Sequence, residues 1–137
     1  CPDRSVTRGE FATLLVRALG LEGSIANPFD DDDRSVHVDA IETLAAHGIT
    51  TGCGPRRFCP DAPVTRGEMA SFLMRALDLP AAPPAGFDDT AGNVHRKAID
   101  ALAAAGITRG CSPTSFCPDD PVTRGQMASF IVRALER

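Results

Sequence analysis

The sequence predicts a mainly helical protein built from tandem helix-loop-helix repeats. Three observations carry that reading. The stretch Val-Thr-Arg-Gly followed by Glu or Gln occurs at 6–10, 64–68 and 122–126, each copy 58 residues after the last. Residues 29–79 align with 87–137 without a gap, and 32 of the 51 positions are identical. Such self-similarity at a fixed period means one structural unit copied along the chain. Within each copy the apolar residues recur at i, i+3, i+4, i+7 and i+8, which is a helical face and not the alternation of a strand.

The chain divides into the back half of one unit (1–28), a full unit (29–86) and a third unit (87–137). A helix B is expected over 8–19, carrying Phe11, Leu14, Leu15, Ala18 and Leu19 on one face. Its counterparts fall at 66–77 (Met69, Phe72, Leu73, Ala76, Leu77) and 124–135 (Met127, Phe130, Ile131, Ala134, Leu135). A helix A is expected over 36–47 and 94–105, with His37, Ala40, Ile41, Leu44 and Ala45 as its stripe in the first copy. Gly48 and Gly106 stand where a left-handed cap belongs, and Ile49 or Ile107 follows as the hydrophobic partner of that cap. No strand longer than a few residues is expected. The Pro-rich stretch at 78–86 reads as a stiff connector.

Composition narrows the function classes. Of the 137 residues 43% are hydrophobic and 23% charged, the signature of a folded chain. A formal charge of −4 argues against nucleic acid, which requires a basic face. No apolar run has the length of a membrane span, so no membrane insertion is expected. Five cysteines in so short a chain point to an oxidising compartment. There is no Trp and no Tyr, which leaves few aromatic faces for sugar stacking. Residue 1 is a cysteine followed by Pro-Asp, which reads as a trimmed piece.

Most of the repeated motif is explained by helix initiation. Thr65 and Glu68 form a capping box, as do Thr7 with Glu10 and Thr123 with Gln126, while Val64 and Met69 make a hydrophobic staple. The arginine is not explained that way. A cation at a helix start is mildly disfavoured by the helix dipole. Gly in the next position costs roughly 1 kcal/mol against Ala. Both are written three times. Arg beside uncrowded backbone amides is a sensible anion cradle. The rival is an ion pair with an acid of the neighbouring unit, from Phe29-Asp30-Asp31 or Phe87-Asp88-Asp89.

The order FDD, then AI..LAA.GIT.G, then FCPD.PVTRG.MASF..RAL resembles S-layer homology repeats, in the cysteine-bearing form associated with actinobacterial surface proteins. The resemblance covers essentially the whole chain. It implies a pseudo-threefold, mostly helical spindle that holds secreted proteins on the cell wall by binding an anionic secondary cell-wall polysaccharide in grooves between repeats. It implies that Arg8, Arg66 and Arg124 line those grooves, with Asp30 or Asp31 and Asp88 or Asp89 as the acidic residues. Two departures stand out: the family's aromatic at the start of helix A is Val38 or Arg96 here, and the Ala of its T-R-A-E motif is Gly.

Cys53 and Cys59 bracket one short loop, and Cys111 and Cys117 bracket its copy. A disulfide across each is expected, worth roughly 2–3 kcal/mol in the chain-entropy model. Zinc is the rival, but two cysteines per loop fall short of four ligands. Cys1 matches the second cysteine of a pair and is expected unpaired or bonded to another chain. His37 and His95 are expected as hydrogen-bonded imidazoles. The run FDDDDRS lacks EF-hand spacing and reads as a capping loop, not a calcium site. No nucleophile, zinc-hydrolase or phosphate-loop motif appears, so no catalytic residue, metal or cofactor is expected.

Two functions follow: an extracellular wall-anchoring module for an acidic glycan, or a structural subunit that self-associates head-to-tail into a fibre or surface layer. The second draws on a count. Three copies of helix B face two copies of helix A, which leaves one apolar stripe without cover. That stripe is expected on Phe11, Leu14, Leu15 and Leu19 or on an equivalent helix.

Overall fold

The computed structural model describes residues 4–25, 28–32, 34–50 and 52–136. Among the described residues five helices occur: α1 (Arg8–Leu19), α2 (Val38–Ala46), α3 (Arg66–Leu77), α4 (Arg96–Ala104) and α5 (Arg124–Glu136). Among the described residues there is no strand. Only isolated bridges form, including Ser5 with Thr123, Thr7 with Pro63, and Thr65 with Pro121. The mainly helical repeat fold read from periodicity is the fold observed. Cys1 lies outside the described residues.

The chain forms two compact units, one of Val6–Val64 and one of Thr65–Arg137 with Cys1–Ser5. In the first, α2 packs along α1. Phe11, Ala12 and Leu15 of α1 are buried with Ile41 and Leu44 of α2, and Ile49, Phe58 and Val64 complete the core. Burying each large apolar side chain is worth about 1.5–3 kcal/mol. In the second unit α4 packs along α3 in the same way. Met69, Ala70, Phe72 and Leu73 are buried there with Ile99 and Leu102, above Ile107, Phe116 and Val122.

The helix B copies begin where the motif places them. Thr7 and Thr65 accept from the amides of Glu10 and Glu68 at 3.1 Å, and those carboxylates accept from the threonine amides at 3.0 and 2.9 Å. Gln126 and Thr123 do the same at the start of α5. The helix A copies start two residues later than their periodicity suggests. The amide of His37 donates to Ser35 Oγ at 3.1 Å, and that of His95 to Asn93 Oδ1 at 2.8 Å. These local side-chain bonds compete with the helix. His37 and His95 thus become N-caps, and Val36 and Val94 stand almost fully exposed in the preceding turn. At the other end Gly48 and Gly106 adopt φ of 69° and 76°. The Ile49 amide then reaches Leu44 O, and the Ile107 amide reaches Leu102 O, both at 2.9 Å. This is a Schellman closure.

Candidate functional site

The repeated arginine has a structural position that sequence alone did not supply. In the first unit the Arg8 guanidinium lies 4.8 Å from the centre of the Phe58 ring, and its Nε donates to Phe58 O at 2.7 Å. In the second, Arg66 repeats this on Phe116 at 4.6 Å, with Nε to Phe116 O at 2.7 Å. Arg66 also lies 5.3 Å from the Phe130 ring of α5. Both arginines are more than nine-tenths buried, whereas Arg124 is exposed. A guanidinium held over an aromatic face while donating to a carbonyl is a compact way to pin a loop. Each arginine pins the cysteine loop that ends just before the next helix B.

The anion cradle of bare amides is corrected by the structure. The amides of Arg8 and Gly9 donate to Ala62 O and Pro60 O, both at 2.8 Å. Those of Arg66 and Gly67 donate to Asp120 O at 2.9 Å and Pro118 O at 2.8 Å. The helix-start donors are consumed by the loop, so the guanidinium and not the backbone is the group left to consider. The glycine has its own reason. A Cβ on Gly9 would lie 2.8 Å from His37 Cδ2, and one on Gly67 would lie 2.8 Å from His95 Cδ2. The histidine rings rest on these glycines while their Nδ1 atoms bond Thr13 Oγ1 at 2.6 Å and Ser71 Oγ at 2.7 Å.

The aspartates sort into two kinds. Asp31 accepts from the amides of Phe58 and Cys59, both at 2.8 Å. Asp89 accepts from Phe116 and Cys117 at 2.9 and 2.7 Å. Asp89 is exposed, and the slight desolvation that works to raise its pKa is outweighed by the two loop amides, its own amide and the charge of Arg66, which hold the carboxylate below its usual range. Asp30 and Asp88 point outward. Asp30 pairs with Arg56 in a forked contact at 2.9–3.1 Å, and Asp88 accepts from Ser115 Oγ at 2.9 Å. Cys53 is bonded to Cys59 and Cys111 to Cys117, with Cα atoms 6.2 and 6.0 Å apart. Asp31, Cys53 and Cys59 bring three possible metal-ligand atoms together. The sulfurs are joined to each other and the carboxylate serves two amides, so this set is not a metal centre.

Arg66 lines a cavity of about 270 Å³ together with Thr108, Gly110, Cys111, Gln126, Ser129, Phe130 and Arg133. Its Nη2 is sealed from solvent without a hydrogen-bond partner among the described residues. Burial pulls the Arg66 pKa down, and the fields of Asp120 and Asp89 oppose that. An arginine nonetheless stays charged at neutral pH. The cavity therefore sets a buried cation beside polar groups and a second cation, Arg133, whose Nη1 lies 3.4 Å from Ile107 O. Sequence reading missed Thr108 and Arg133, and saw Gln126 only as a helix cap. A signal existed for two of them, since Thr50 and Thr108 recur, as do Arg17, Arg75 and Arg133.

The family model of the S-layer homology domain matches residues 28–70 and 86–128. The chain belongs to this family. It is 28% identical over 154 residues to cell surface glycoprotein 1 of Acetivibrio thermocellus, covering 99% of this chain and 7% of that protein. It is 31% identical over 142 residues to the surface-layer 125 kDa protein of Lysinibacillus sphaericus, covering 98% and 12%. It is 35% identical over 101 residues to endo-1,4-beta-xylanase A of Thermoanaerobacterium saccharolyticum, covering 72% and 9%. The chain thus spans only a small fraction of the length of these relatives. The domain is a cell-surface module, found beside catalytic domains in some larger proteins. No helix among the described residues is long and apolar enough to cross a membrane.

Proposed function

We propose that this chain anchors a protein to the cell wall by binding an anionic cell-wall polysaccharide, without catalysis. Its repeats would run over 1–28, 29–86 and 87–137. The observation that carries the proposal is the buried Arg66 Nη2 without an acceptor, beside a cavity that also holds Arg133. Leaving such a donor unsatisfied costs about 1–3 kcal/mol. A carboxylate or acidic substituent of a glycan entering the cavity meets Arg133 first, and a small shift of the lining then gives the sealed Arg66 Nη2 an acceptor. Arg8, in the same setting over Phe58, and Arg124 are proposed as equivalent contacts. Asp31 and Asp89 contribute by fixing the loops against which the arginines lie, and Asp30 and Asp88 by shaping their exposed rims.

Co-sedimentation with purified cell wall tests this. Arg133→Ala removes the accessible cation without disturbing Arg66 and should weaken binding about tenfold, with a near-unchanged melting temperature. Arg66→Lys keeps the charge but loses the planar fork, and should bind worse as well. Full wall binding by both variants would overturn the proposal.

A further inference from the structure

The acceptor that seats each buried arginine stands next to a cysteine with an unfavourable backbone. Arg66 Nε donates to Phe116 O, and the next residue, Cys117, has φ 59°. Arg8 Nε donates to Phe58 O, and the next residue, Cys59, has φ 60°. This left-handed region suits glycine and disfavours any residue with a Cβ. Both copies nonetheless carry cysteine there.

Two constraints hold that conformation in the second unit. Asp89 accepts from the amides of Phe116 and Cys117, and the disulfide ties Cys117 to Cys111. The Cys111 amide donates to Ser115 O at 2.9 Å, and Cys111 lines the cavity beside Arg66. One bond thus joins the wall of the cavity to the residue that follows the arginine's seat. That bond lies outside the packed core. Cys111 is exposed and Cys117 half-buried, whereas Met69, Leu73, Ile99 and Leu102 are sealed between α3 and α4. A thiol reagent can therefore reach the sulfurs in the folded chain.

Given the wall-binding reading, on which this rests, we infer that the Cys111–Cys117 disulfide positions Arg66 and makes wall binding redox-gated. The cavity is competent with the bond closed and loses its fixed guanidinium when the bond opens. Opening requires a dithiol. One of its thiolates attacks the exposed Cys111 sulfur, the S–S bond breaks, and Cys117 leaves as a thiolate that takes up a proton. The second thiol of the reagent, deprotonated, then displaces Cys111, which is protonated in turn. The dithiol ends as a cyclic disulfide, oxidised by two electrons, and both cysteines end as thiols. Cys117 then relaxes out of the left-handed region and carries Phe116 O and its ring away from Arg66. Cys53–Cys59 holds the seat of Arg8 in the same way.

The test uses the full chain. In Cys111→Ser/Cys117→Ser the Arg66 Nε–H resonance, displaced by the Phe116 ring and slow to exchange, should move to the position of a solvent-exposed arginine. Co-sedimentation with purified cell wall should weaken about tenfold, with helical circular dichroism unchanged. Cys111→Ser/Cys117→Gly also lacks the bond, but glycine adopts the left-handed region freely. It should recover most of the resonance displacement and bind about threefold better than the serine variant. A cross-link that only stabilised the fold predicts the opposite order, since glycine adds freedom to the unfolded chain. Dithiothreitol should reproduce the loss in the unmodified chain, and excess oxidised glutathione should reverse it. An Arg66 Nε–H resonance that stays in place without the disulfide would overturn the inference. Loss of the helical signal in the serine variant would also overturn it, making the bond a staple of the fold. Undiminished wall binding by the serine variant would sink the gating alone, whereas an unmodified chain that does not bind the wall would sink the wall-binding reading and the gating with it.

Discussion

The glycine after the repeated arginine is a packing residue, and this makes a sharp prediction. On helix propensity alone Gly67→Ala would stabilise by about 1 kcal/mol. The structure puts a Cβ there 2.8 Å from His95 Cδ2 and 3.2 Å from Pro118 O. The net effect should be destabilisation by about 1–3 kcal/mol, measured as a drop in denaturant midpoint at constant slope. Asp89 gives a second prediction. Its folded pKa is lowered from 3.8, so its contribution is fully present above 3.8 and is lost as pH falls through the lower folded value. Protection of the Phe116 and Cys117 amides should therefore weaken on acidification below that range, and Asp89→Asn should flatten the dependence. The identity of the special residues was legible in the sequence, because Arg and Gly broke a local rule three times. Their partners were not legible. That Arg66 would lie on Phe116, fifty residues away, depends on a tertiary contact that helical periodicity does not encode.

Periodicity placed the helix B copies well because their starts are fixed by a chemical device within the motif itself. Thr65→Ala should cost about 1 kcal/mol in thermal or chemical unfolding, the usual loss for one cap. The helix A copies were placed less well at their starts. Ser35 and Asn93 offer the amides of His37 and His95, two residues on, a bond that the helix does not, and a hydrophobic stripe is blind to that competition. The end of α3 gives another element-scale test. Asp78 sits at φ 52°, where α1 has Gly20 at φ 64°. Asp78→Gly should stabilise modestly, by a few tenths to about 1 kcal/mol, since glycine enters this region without a Cβ penalty. A loss of stability there would mean that the Asp78 side chain holds the helix end in a way its backbone geometry does not show.

At the scale of the whole molecule, the repeat and its extracellular character were written in the 58-residue period and the paired cysteines. The cavity beside Arg66 was not, because its lining comes from α3, the segment after α4, and α5, which are distant in the chain. The family match tells what kind of module this is, while the proposal of an anionic polymer as its ligand rests on the chemistry of that cavity. The measurement that tests this most directly is calorimetric titration of the chain with purified wall polysaccharide, native and with its acidic groups neutralised, over a series of salt concentrations. The account predicts saturable binding of the native polymer that weakens with salt, is lost on neutralisation and is weakened in Arg66→Lys. Equal binding of the native and neutralised polymers, insensitive to salt and to Arg66, would contradict it.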